Sequence, residues 1–92
     1  MKKLLILIAE NKSRREVLAE QLNIGTVEFY AAASTNYRPE LKFLLADFYD
    51  YEGEIYVLYD EILYRVLRTY QVGQGLELTL TSASAEEVEL YG

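Results

Sequence analysis

The sequence predicts a small three-layer α/β fold: a doubly wound, Rossmann-like or flavodoxin-like sheet of mostly parallel strands in the order 2-1-3-4. Three observations carry this expectation. Leu4 to Ile8 is an unbroken aliphatic run, the pattern of a strand covered on both faces. Glu54 to Tyr59 (EIYVLY) is apolar or aromatic on both faces, so it too is expected at the centre of the sheet. The segments that follow these runs carry helical spacing, and alternation of strand and helix builds a parallel sheet with right-handed crossovers.

The elements follow in order. Ser13-Arg14-Arg15-Glu16 matches the capping box S-x-x-E, and Val17, Leu18, Leu22 and Ile24 supply an apolar side before Gly25, so a first helix is expected at about residues 13–23. Thr26 to Ala33 alternates, with Val27, Phe29, Ala31 and Ala33 on one side, and is expected to be a second strand. After the polar loop Ser34 to Arg38, Pro39 opens a second helix reaching about residue 50, on which Leu41, Leu44, Leu45 and Phe48 recur at i, i+3, i+4 and i+7. Residues 60–73 fit two patterns. Ile62, Leu63, Val66, Leu67 and Tyr70 have helical spacing between an Asp60 cap and a Gly73 stop, which is favoured because it buries Leu63 and Leu67. The alternative is a hairpin through Asp60-Glu61, which converts the fold into a ferredoxin-like α+β sandwich. Leu76 to Leu80 alternates as a fourth strand, and Val88 to Leu90 returns antiparallel to it as a C-terminal hairpin.

Composition narrows the function. The 92 residues form one domain, 51% hydrophobic, with no cysteine and no histidine. Disulfides, thiolate metal sites, serine triads and zinc–histidine sites are therefore excluded, which favours binding over catalysis. An enzyme built from this chain would be a carboxylate-dependent phosphodiesterase or nuclease using Asp60 or Glu61. The formal charge of −6, from 15 acidic and 9 basic residues, argues against a generic grip on duplex nucleic acid. Met1-Lys2-Lys3 and the six apolar residues after it imitate a signal peptide, but the run is too short and lacks a cleavage site, so a cytoplasmic protein without a membrane span is expected.

The conspicuous local feature is Lys12-Ser13-Arg14-Arg15, three cations in an acidic chain. In an open parallel sheet, ligands bind beyond the carboxyl ends of the strands. That edge would gather Asn11, Lys12, Ser13 and Arg14 after the first strand, Ser34, Asn36, Tyr37 and Arg38 after the second, and Asp60 after the third. Arginine fits phosphate with two prongs, helix amides attract an anion, and Tyr37 would stack on a base. The expected function is a small dimeric ligand-binding or sensor module for an anionic, nucleotide-like ligand such as a cyclic oligonucleotide. The competing reading of the same residues is a capped helix start with solvated arginines, since no glycine-rich phosphate loop occurs. No cofactor or metal is expected: Asp47, Asp50, Glu52 and Glu54 crowd one loop but miss the calcium-loop spacing. The alternative function is a non-catalytic protein-interaction or regulatory subunit. Nine tyrosines point to it, with Tyr49, Tyr51, Tyr56, Tyr64, Tyr70 and Tyr91 more than one small core holds. A homodimer is expected through the Leu76–Leu80 edge or a helix face carrying Tyr64 and Tyr70.

Overall fold

The computed structural model describes residues 2–24 and 39–92, and in them the sheet is antiparallel and closed on itself. Its strands are β1 (Lys2–Ile8), β2 (Arg14–Leu22), β3 (Leu41–Leu45), β4 (Tyr56–Tyr59), β5 (Ile62–Val72) and β6 (Gly75–Ser82). They form a barrel in the order β1-β2-β3-β6-β5-β4, and a helix, α1 (Ala85–Tyr91), ends the chain. Neither the doubly wound α/β sheet with order 2-1-3-4 nor the ferredoxin-like sandwich is present.

Turn geometry explains the first departure. Glu10-Asn11-Lys12 is a three-residue hairpin loop: the Lys12 amide donates to Ala9 O at 2.8 Å, the Ala9 amide donates to Ser13 O at 2.9 Å, and Lys12 takes a left-handed φ of 72°. Asn11 Oδ1 accepts from the Ser13 amide at 3.0 Å, so Ser13 closes a turn and caps no helix. The expected helix at 13–23 is strand β2, paired with β1 from Ile8↔Arg14 to Lys2↔Glu20. Its inward positions, Val17 and Ala19, belong to the barrel core.

The second helix is absent for a related reason. Leu41, Phe43 and Leu45 alternate as well as they recur at helical spacing, and pairing with both β2 and β6 selects the strand. Only Phe48–Asp50 turns helically, as one 3₁₀ turn capped by Asp47. Residues 60–73 adopt the hairpin rather than the helix: Asp60 (φ 52°) and Glu61 (φ 67°) are both left-handed, the requirement of a two-residue type I′ turn. β5 then runs to Val72 with a bulge between Val66 and Arg68, and Gly73 (φ 59°) turns it into β6. Gly75 has no room for a side chain, because a Cβ there would lie 2.9 Å from Leu45 O across the β3–β6 pair. At the C-terminus the expected strand 88–90 is α1. Its capping box is Ser84 with Glu87, the signature that the sequence also offers at Ser13 and Glu16. The expected strand 26–33 lies outside the described residues.

Side chains fill the barrel interior. Leu5, Leu7, Ala19, Phe43, Leu45, Val57, Tyr64, Leu76, Leu78 and Leu80 form one cluster, and Phe43 meets Tyr59 edge-on with ring centroids 5.0 Å apart. A smaller cluster lies outside the wall, where Ile8, Tyr56 and Leu63 pack with Ala83 and Tyr91 beneath α1. The crossover from β3 to β4 passes beneath one end of the barrel, and its Phe48 and Tyr51 pack on the core. Among the described residues no helix is long and apolar enough to cross a membrane.

Glu61 is a β-carbon-bearing residue at a left-handed position, which costs an L-residue roughly 1–2 kcal/mol that glycine avoids. Glu61→Gly is therefore expected to stabilise the protein by about 1 kcal/mol, raising Tm by about 4–8 °C for a domain of this size. Thermal unfolding followed by circular dichroism checks this; a lowered Tm would contradict the type I′ turn.

Candidate functional site

The basic cluster is built into the hairpin that joins β1 and β2, and its cations contact other parts of the same chain. Arg14 Nη2 donates to Tyr91 O at 3.0 Å, and Lys12 Nζ lies 5.9 Å from the centre of the Tyr91 ring. The Tyr91 hydroxyl donates to Glu10 O at 3.2 Å. These contacts bring two positive charges to the C-terminal end of α1, which has no basic residue in its own last turn. The cluster thus complements a helix, but at the opposite terminus and of a different helix from the one the sequence suggests.

Arg15 is more tightly held. It donates from Nη2 to Asp50 O at 2.6 Å and to Glu54 Oε2 at 2.8 Å, while Nη1 lies 2.8 Å from Glu52 Oε2. Glu54 is only 6% exposed, and its other oxygen accepts from the Glu52 amide at 2.6 Å. The Tyr51 hydroxyl donates to Glu54 O at 2.6 Å. A buried carboxylate is costly unless paired and hydrogen-bonded, and Glu54 is both. Beside this network lies a cleft of about 230 Å³ lined by Ser13, Arg14, Arg15, Glu52 and Glu54.

Among the described residues, Asp60 is not brought to this cleft. Register places Asp60 at the other end of the barrel: β4 runs antiparallel to β1, starting opposite Ile8 and passing Leu58 opposite Ile6 before the turn. Asp60 is there as an exposed turn residue with Glu61. Ser34, Asn36, Tyr37 and Arg38 lie outside the described residues. Among the described residues no group of three or more carboxylates is placed to hold a metal ion.

The tyrosines divide. Tyr56 and Tyr64 are buried, Tyr51 and Tyr91 are half-buried, and Tyr49 and Tyr70 are 73% and 67% exposed. Tyr56 stacks on Tyr91 at 4.5 Å between ring centroids, and its hydroxyl donates to Glu87 Oε2. Burial, followed by that bond and the Glu87 charge, pushes the Tyr56 hydroxyl up to about 12. Hydrogen bonds from the Ser84 amide and the Tyr56 hydroxyl hold the Glu87 carboxyl below its ordinary range. Of the faces expected to carry a homodimer, Leu76–Leu80 is no edge, since β6 is paired on each side, and no helix joins Tyr64 to Tyr70: Tyr64 belongs to the barrel core and Tyr70 is exposed on β5.

Two further surfaces stand out among the described residues. A groove of about 370 Å³ runs over the outer wall of β3, β6 and β5, lined by Lys42, Arg68, Thr69, Tyr70, Glu77 and Thr79. Lys42 Nζ there lies 3.1 Å from Glu77 Oε1. On the opposite wall, Leu4 and Leu18 are direct cross-strand partners, 51% and 59% exposed. Next to them Ile6 pairs with Leu58, both half-buried against the cluster under α1. Sequence reasoning placed both leucines in a core. The available signal was Leu4 to Ile8 itself, since a run apolar on both faces needs two covering layers and α1 reaches only part of the outer one.

Comparison with protein-family models, curated proteins and solved structures finds no match to this chain.

Two outcomes follow from the joints. Arg15→Ala leaves the buried Glu54 carboxylate without its cation and is expected to cost about 2 kcal/mol, against less than about 1 kcal/mol for Arg14→Ala, whose contact is exposed; urea midpoints of the two variants measure the difference. Because Tyr56 is harder to ionise in the folded protein, its contribution is complete below pH 10 and lost as pH rises from about 10 toward 12. Tyr56→Phe is expected to flatten that alkaline loss, seen as a smaller drop in Tm across the window.

Proposed function

We propose that this protein is a non-catalytic protein-interaction module whose contact surface is the outer face of β1 and β2. One observation carries the reading: Leu4 and Leu18 face each other across the hairpin, more than half exposed, with Glu16 and Glu20 as the neighbouring outward positions of β2. The water-facing side of an antiparallel sheet ordinarily carries polar side chains. A contiguous apolar exception rimmed by polar residues is the mark of a contact site. Covering a leucine of this kind contributes roughly 1.5–3 kcal/mol.

The second reading is an anionic, nucleotide-like ligand at the β1–β2 turn. Its support is the cleft beside Ser13, Arg14 and Arg15. Against it stand Glu52 and Glu54 in the same lining and the contacts that already occupy Arg14 and Arg15. The interaction reading is the better supported, because its surface is exposed and uncommitted among the described residues.

A photo-crosslinking amino acid placed at position 18 is expected to give discrete protein adducts in cells, and the same residue in place of Tyr70 none. Adducts from position 70 alone would move the contact surface to the groove over β3, β6 and β5.

A further inference from the structure

The proposed contact face has a shape and a charge that select its occupant. Register puts Leu18, Leu4, Ile6 and Leu58 on three adjacent strands, β2, β1 and β4. Strands lie about 4.8 Å apart and alternate residues about 6.8 Å apart, so the strip is about 10 Å across and two side chains deep. That matches the apolar stripe of one α-helix, which is about 10 Å in diameter and presents residues i, i+3, i+4 and i+7.

Carboxylates surround the strip. Glu16 lies opposite Ile6 and Glu20 opposite Lys2 on the same outer face. Asp60 and Glu61 form the β4–β5 turn at the end of the barrel where β1 begins. All four are exposed. Lys2 and Lys3, at the start of β1, offset two of them, and five other described cations are drawn into contacts elsewhere: Lys12 and Arg14 at Tyr91, Arg15 at Glu54, Lys42 at Glu77 and Arg65 near Glu87. The distribution of cations therefore leaves this rim negative. A second copy of the chain is the poorer occupant, since a two-fold contact would bring two such rims together.

Resting on the interaction reading above, we infer that the face binds a cationic amphipathic helix: an apolar stripe seated on Leu4, Leu18, Ile6 and Leu58, with lysines or arginines flanking it toward Glu16, Glu20, Asp60 and Glu61. Recognition of this kind combines burial with complementary potential, the first giving affinity and the second partner choice.

The test uses the full chain and three labelled synthetic helices with the same leucine stripe, flanked by lysine, glutamine or glutamate, followed by fluorescence anisotropy. The lysine-flanked helix is expected to bind at least about tenfold more tightly than the glutamine-flanked one, and the glutamate-flanked one not to bind. Leu4→Ser with Leu18→Ser is expected to weaken the lysine-flanked helix by about tenfold or more. Glu16→Gln with Glu20→Gln should remove most of the preference for lysine, whereas Glu86→Gln with Glu89→Gln on α1, which changes the net charge equally, should not. Undiminished binding to the leucine double variant would reduce the effect to general charge attraction and overturn the inference. So would equal affinity for lysine and glutamine flanks; the interaction reading would survive that result if position 18 still crosslinks. A dimer of the free protein dissolved by the two leucine substitutions, with no peptide bound, would replace the helix by a second copy of this chain.

Discussion

Closure of the sheet is the constraint on which the rest of the molecule depends. β1 and β4 meet over three residue pairs, Ile6↔Leu58, Leu7↔Val57 and Ile8↔Tyr56, the shortest seam in the barrel. One bond lengthens it at the β4 entry, where the Ile55 amide donates to Ile8 O at 3.1 Å, and on its other side Ile55 O accepts from the Val66 amide of β5 at 3.0 Å. Directly before this seam sits Glu54, buried and gripped by Arg15 of β2. The ion pair thus fixes where β4 enters the barrel. Closed, the sheet gives every strand a neighbour on each side, so none is left as an edge strand, although the pairing covers only part of β1, β2 and β5.

Closure also assigns the polar groups their tasks. A chain of this length has a limited core, and several of its charged side chains serve as fasteners at the barrel's ends. Arg15 ties β2 to the β3–β4 crossover, and Arg14 and Lys12 tie the β1–β2 turn to α1. At the other end, Glu40 accepts from the Ser82 amide at 2.7 Å and the Ser82 hydroxyl at 2.8 Å, joining the approach to β3 with the end of β6. Partial burial raises the Glu40 pKa, and the bonds from Ser82 and Thr81 more than reverse this, so the carboxylate is held charged. The proposed contact surface lies apart from these fasteners, at the leucine pair on β1 and β2.

Much of the chain's segmentation is legible in the sequence. The strands at 2–8, 56–59 and 75–82 lie where aliphatic runs or clean alternation place them. The misread segments share one property: their apolar residues satisfy period 2 and period 3.6 together, as at Leu41-Lys42-Phe43-Leu44-Leu45 and Ile62-Leu63-Tyr64-Arg65-Val66. Turn signals did not break the tie, because Lys12, Asp60 and Glu61 occupy left-handed positions that usually call for glycine or asparagine. The candidate site was legible only as a cluster. The sequence puts Lys12, Ser13, Arg14 and Arg15 together, but the partners of Arg14 and Arg15 lie 35 to 77 residues away.

By itself the sequence determined what this protein lacks and where its chain can be buried: no thiol, no imidazole, an acidic balance and a set of short apolar segments. Those properties belong to residues one at a time or to neighbours along the chain, so composition and spacing reveal them. Tertiary structure decided the pairing, and with it which side of each segment is core. Leu5 and Leu7 became interior while Leu4, one residue away, remained on the surface. A strand's two faces are equivalent until its neighbours are chosen, and that choice rests on backbone hydrogen bonds and long-range packing that no local pattern encodes.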